Sequence, residues 1–167
     1  MKMTDWRWWL CLLVFLVGCT PEYNWREVEV ADGRASLAFP ARVQTEQRVV
    51  AVGDEKLSFR LTSASVNDAV FAVGYMKIPE NMDSAQAGQV MRDLVNSLAS
   101  RVGKRAPDSA YASQVFELQT IVSGRPSRMQ ARVLLHRGML IQVVASGPSN
   151  ILTQERANEF MRSLRLL

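Results

Sequence analysis

Apolar and polar residues alternate along residues 25–78 and again along 113–146, and change to a three-to-four spacing in two other places. Alternation puts successive side chains on opposite faces of a strand, whereas spacing of three and four puts them on one face of a helix. Residues 25–31 and 35–39 read as a hairpin turned at Asp32-Gly33, with Pro40 stopping the second strand. Residues 42–52 and 56–65 read as a second hairpin around Gly53-Asp54, with Leu57, Phe59 and Leu61 on one face. Asn67-Asp68 then turns the chain into a strand over 69–78 that Pro79 ends.

The spacing of Ala87, Val90, Met91, Leu94, Val95, Leu98 and Val102 predicts a helix over 83–102. It has Asp83 or Ser84 as N-cap and Gly103 just past its end. Its apolar stripe reads as core. Three more strands follow, with inward faces Phe116/Leu118/Thr120/Val122, Met129/Ala131/Val133/Leu135 and Met139/Ile141/Val143/Ala145. Their turns fall at residues 123–126 and 136–138. A three-residue loop at His136-Arg137-Gly138 sets Leu135 opposite Met139. Ile151, Ala157, Phe160, Met161 and Leu164 predict a closing helix over 150–164, capped at Ser149, Asn150 or Thr153. The fold class is α+β: a mostly antiparallel sheet of about seven strands with two helices.

Short echoes across residues 25–167 resemble the PsbP/Mog1-like α-β-α sandwiches. They are Phe39-Pro40 after an early strand, the turn Gly124-Arg125-Pro126, the strand from Gly138 to Gln142, and a closing Phe160-Met161-Arg162-Ser163-Leu164. The resemblance implies a small adaptor or assembly domain. It transfers no catalytic residue.

The first twenty residues carry a different signal. Lys2 and Arg7 precede the apolar run 8–17. Ten helical residues reach about 15 Å, half of a ~30 Å hydrocarbon core, so the run suits a signal segment and not a membrane span. It ends in Leu16-Val17-Gly18-Cys19, which resembles the lipobox of bacterial lipoproteins. The small Gly18 gives a peptidase access to the next bond, and a thiolate is the nucleophile that a lipid donor alkylates. The resemblance implies cleavage after residue 18, a diacylglyceryl thioether on Cys19 and a further acyl chain, such as palmitate, on the new amino group. Two or three chains make such an anchor effectively permanent.

The expected organisation is thus a cleaved signal at 1–18, a short lipidated tether at 19–24 and one domain at 25–167. The five residues 20–24 extend to about 17 Å at most, which keeps the domain close to its membrane. Thr20 follows the cysteine, where Gram-negative lipoproteins retained at the inner membrane carry aspartate. The expected location is the cell membrane by lipid anchor: the outer membrane, facing the periplasm, if the organism is Gram-negative.

Composition narrows the chemistry. The chain has 167 residues and is 48% hydrophobic and 22% charged, an ordinary globular mixture that makes disorder a poor fit. Its two cysteines, Cys11 and Cys19, leave no disulfide framework, and one histidine leaves no His-pair metal motif. No Gly-x-Ser-x-Gly elbow, phosphate-binding loop or HExxH is present. The expectation is no enzyme, no catalytic residue, no metal and no cofactor other than the lipid on Cys19. Nucleic acid is excluded as a partner by export. The net charge of +4 is uneven: residues 101–137 hold seven basic and two acidic side chains.

With Met129, Ala131, Val133 and Leu135 inward, Arg128, Gln130, Arg132 and His136 face the other way. Pairing Leu118 with Ala131 sets Glu117 opposite Arg132, with Gln142 beside it. This stripe reads either as a solvated sheet face or as a surface for an anionic lipid, a glycan or an envelope protein. The function expected is a membrane-anchored binding, adaptor or assembly lipoprotein. The alternative is an envelope enzyme, such as a glycan hydrolase, whose site forms no motif.

Overall fold

In the computed structural model, which describes residues 23–52 and 55–167, two antiparallel sheets and three helices enclose two cores. The expected lipobox Leu16-Val17-Gly18-Cys19, the expected signal segment and the expected turn at Gly53-Asp54 lie outside the described residues.

Strands β1 (Arg26–Val30) and β2 (Ala35–Phe39) pair antiparallel from Val30 opposite Ala35 to Arg26 opposite Phe39. A two-residue strand, β9 (Arg165–Leu166), joins the other edge of β2 and completes a three-stranded sheet. The larger sheet is formed by β3 (Gln44–Val52), β4 (Glu55–Val66), β5 (Ala69–Lys77), β6 (Phe116–Val122), β7 (Arg125–His136) and β8 (Met139–Pro148). Its spatial order is β3-β4-β5-β8-β7-β6, antiparallel throughout.

Nine strands in two sheets replace the seven expected in one, and three helices replace two. Helix α2 (Asp108–Tyr111) is one turn long and β9 is two residues, both too short to carry a periodicity. That β1–β2 stands apart from the larger sheet is a matter of tertiary packing, on which alternation within a strand is silent.

Helix α1 (Ser84–Arg101) starts as expected at Asp83. The Asp83 carboxylate accepts from the Gln86 amide at 2.8 Å, and the Gln86 side chain accepts from the Asp83 amide at 2.9 Å. This reciprocal pair satisfies two donors that the first turn leaves orphaned. Helix α3 (Gln154–Arg162) is capped by Thr153, whose hydroxyl accepts from the Arg156 amide.

The six-stranded sheet is covered on both faces. On one, Ala87, Val95, Leu98 and Ala99 of α1 pack over Leu57, Met76, Phe116, Leu118, Met129, Ala131, Val133 and Leu140, with Ala110 of α2 beside them. On the other, Ala157, Phe160 and Met161 of α3, together with Leu37 and Phe39 of β2, pack over Phe71, Val73, Leu134, Met139, Ile141, Val143 and Ala145. Phe160 is fully buried between the sheets, its ring 5.4 Å from that of Phe39 and 5.3 Å from that of Phe71, both edge-on.

Two pairings differ from the sequence expectation. The β7–β8 loop has two residues, Arg137 and Gly138, with φ of 46° and 74°. Positive φ at both central positions is the hairpin turn whose twist matches that of the strands. It sets His136 opposite Met139 and Leu135 opposite Leu140. Because the side-chain period of a strand is two, this single-residue change moves all of β8 to the other face. Met139, Ile141, Val143 and Ala145 therefore share a face with Leu134, and Leu140 shares one with Val133. Both faces of β8 are buried, so its sequence carried no contrast to set the register. In β6–β7, Leu118 pairs with Met129, not Ala131, and Glu117 with Gln130, not Arg132.

Candidate functional site

The stripe Arg128, Gln130, Arg132 and His136 does lie on one face of β7, but that face is the one α3 packs on. Gln142, on the flipped β8, is on the opposite face, paired with Val133. Each stripe residue is engaged within the protein. Gln130 is buried and donates its amide to Asn158 Oδ1 of α3 at 2.8 Å. Arg132 Nε donates to the Ser113 carbonyl at 2.9 Å, and His136 Nε2 lies 3.0 Å from the Leu167 carbonyl. Arg128 Nε stands 3.7 Å from Glu117 Oε1, one diagonal step away on β6. Its Nε and Nη1, with Gln130 Oε1, are buried without a hydrogen-bond partner among the described residues.

A hollow of about 350 Å³ borders Arg125, Ser127 and Arg128, and a larger groove lies on the other face. Helix α1 lies toward β7 and covers the β3–β4–β5 half of the sheet only in part. At ~100° per residue, the deeply buried Ala87, Leu98 and Val95 fall at about 60–140° around the helix, counted from Val90. Leu94 falls at about 40°, and Asp93, Ser97 and Arg101 cluster on the same flank as Val90. That flank is one wall of a groove of about 500 Å³. Its floor is Phe59 and Leu61 of β4, Met76 of β5 and Gln142 of β8; its far wall is Arg48 and Val50 of β3. The volume is within the ~300–1,000 Å³ of small-molecule pockets.

Gly74 shapes the floor. It lies between Leu61 and Gln142 in the ladder, and a β-carbon there would collide with the Phe59 ring. The absence of a side chain lets that ring lie across the sheet. Gln142 is 9% exposed and its side-chain amide has no hydrogen-bond partner among the described residues. Its polar atoms reach the solvent of the groove and present unused donors and an unused acceptor there. Each wall carries a guanidinium. That of Arg48 holds Glu46 at 2.9 Å, both side chains being well exposed. Arg101 is exposed at the end of α1. The carboxylate in the lining is Asp93, which accepts from Gln89 Nε2 at 2.8 Å.

Sequence reading missed this groove, because Val90 and Leu94 satisfied a helical core stripe. One signal was present. Arg101 falls at about 20° around α1, between Val90 and Leu94, where a helix fully seated on a sheet carries an apolar residue.

Among the described residues no group of three or more His, Cys, Asp or Glu could hold a metal ion, and no helix is long and apolar enough to cross a membrane.

No protein-family model matches the chain. No curated protein matches it. Among solved structures, the chain is similar to the solution structure of cyanobacterial PsbP (CyanoP) from Synechocystis sp. PCC 6803, at 12% identity and a TM-score of 0.47, over 90% of this chain and 96% of that one.

Proposed function

We propose that the chain is a lipid-anchored envelope protein whose folded domain is a non-catalytic binding or assembly module, with the groove between α1 and β3–β5 as its recognition site. The observation that carries this reading is the groove itself: an apolar floor beneath an unpaired Gln142 amide, framed by two guanidinium groups. Concave, mostly apolar sites with a few convergent polar groups are where ligands bind. The lining holds one carboxylate among the described residues, whereas glycan hydrolysis ordinarily uses a pair. That difference favours binding over the enzyme alternative. The anchor rests on Leu16-Val17-Gly18-Cys19.

Two measurements test the two halves. In cells, the wild-type chain is expected in the membrane fraction with a lipidated N-terminal Cys19, and Cys19→Ser in the soluble fraction. A free Cys19 thiol on the wild type overturns the anchor. For the site, a photo-crosslinking residue at Ser97, on the groove wall, is expected to give adducts that the same residue at Asn158, on the other face, does not. Adducts at neither position, or equally at both, refute the groove as the site.

A further inference from the structure

We infer that the groove binds a single-chain acyl anion: an aliphatic chain joined through an amide or ester to a carboxylate- or phosphate-type head. The inference rests on the groove being the binding site and adds the chemistry of its occupant.

Three features select that chemistry. Phe59, Leu61, Met76, Val90 and Leu94 offer a channel of aliphatic and aromatic carbon, where burial of an alkyl chain contributes about 0.8 kcal/mol per CH₂. Gln142, 9% exposed as a residue, turns an unpaired amide to the groove and requires a hydrogen-bonding group on the ligand's body, because covering that amide with plain alkane would strand it. Arg101 on the helix wall, with Arg48 on the strand wall, which shares its guanidinium with the exposed Glu46, supplies donors that suit an anionic head. Asp93 lies two helical turns before Arg101, about 12 Å along the wall, so the helix side is polarised and directs the head toward the Arg101 end.

A monomeric ligand is favoured over a bilayer surface by where the chain enters the fold. Tyr23 and Trp25, the first described side chains, stack edge-on against Phe71, on the face opposite the groove floor. The groove thus opens on the face away from the root of the tether.

The test uses the full chain carrying Cys19→Ser, which leaves it without a lipid of its own. The probes are N-lauroylglycine, laurate and dodecyltrimethylammonium, titrated calorimetrically below their micellar concentrations. N-lauroylglycine is expected to bind one to one, more tightly than laurate and far more tightly than the cation. Gln142→Leu should weaken N-lauroylglycine about fivefold while changing laurate less than twofold. Arg48→Glu with Arg101→Glu should weaken both anions about tenfold. Equal affinity for the cationic probe overturns the charge assignment, and an unchanged N-lauroylglycine affinity in Gln142→Leu overturns the polar contact. Binding to phosphatidylglycerol vesicles, lost with the same Arg substitutions while no monomeric probe binds, replaces the ligand with a membrane surface and refutes the inference. Ser97 adducts to a protein, without probe binding, would refute this ligand while leaving the groove as the site.

Discussion

Phe160 joins the two sheets, and its removal is the most direct probe of how the domain is held together. Its ring is fully buried on α3 and meets Phe39 of the small sheet and Phe71 of the large one. Phe160→Ala deletes the ring and opens a cavity between elements whose backbones are held by separate ladders, which limits collapse. A buried Phe→Ala change costs about 3–5 kcal/mol, and the two edge-on ring pairs, worth roughly 0.5–1.5 kcal/mol each, place this site in the upper half of that range. Against a total stability of about 5–15 kcal/mol, the loss is about a quarter or more. Urea unfolding followed by circular dichroism reads it. With a slope of about 2 kcal/mol per molar, the midpoint should fall by about 2 M. Amides of β1 and β2 should also exchange faster, because Phe160 is one of the contacts that secure the small sheet to the large one. A double-mutant cycle with Phe39→Leu should show a coupling of at least ~0.5 kcal/mol. A total loss below ~1.5 kcal/mol, or strict additivity with Phe39→Leu, refutes the idea that Phe160 couples the sheets.

Two further outcomes follow from the caps and the stripe. Asp83→Ala removes the reciprocal cap of α1 and should lower stability by about 1 kcal/mol in urea unfolding; Asp83→Asn, which keeps a capping oxygen, should recover most of it. Arg128→Met combined with Glu117→Met replaces a 3.7 Å pair, the arginine of which has buried donors without partners, by apolar side chains. The double variant should match or exceed the wild type in thermal unfolding, whereas Glu117→Met alone should be destabilised because it isolates the Arg128 charge.

Much of the fold was legible in local chemistry. The boundaries of β2, the start of α1 at Asp83 and the caps at Gly103 and Thr153 follow from residues whose preferences act within a few positions. The apolar faces at Leu57, Phe59 and Leu61 of β4 and at Phe116 and Leu118 of β6 were also legible, but Ala64 and Val66 bury the opposite face of β4, and Val122, expected inward, is exposed. The face of β8 was not legible. Met139-Leu140-Ile141 is apolar on both sides, so alternation had nothing to distinguish, and the two-residue turn at Arg137-Gly138 decided which half pointed where. That turn carried Gln142 off the Arg132 side and into the groove.

The candidate site shows the same division at a larger scale. The expected lipobox, Leu16-Val17-Gly18-Cys19, is a four-residue sequence pattern and lies outside the described residues. The groove was invisible in the sequence. Whether Val90 and Leu94 touch a sheet or border a channel depends on how far α1 is displaced across it. That displacement is set by packing against β6, β7 and α2, residues distant in the chain. Local sequence therefore determined which segments are strands and helices and where they stop, because those preferences act over a few residues. Tertiary structure alone decided which faces are covered, how the two sheets divide and where a cavity remains, because burial depends on what arrives from elsewhere in the chain.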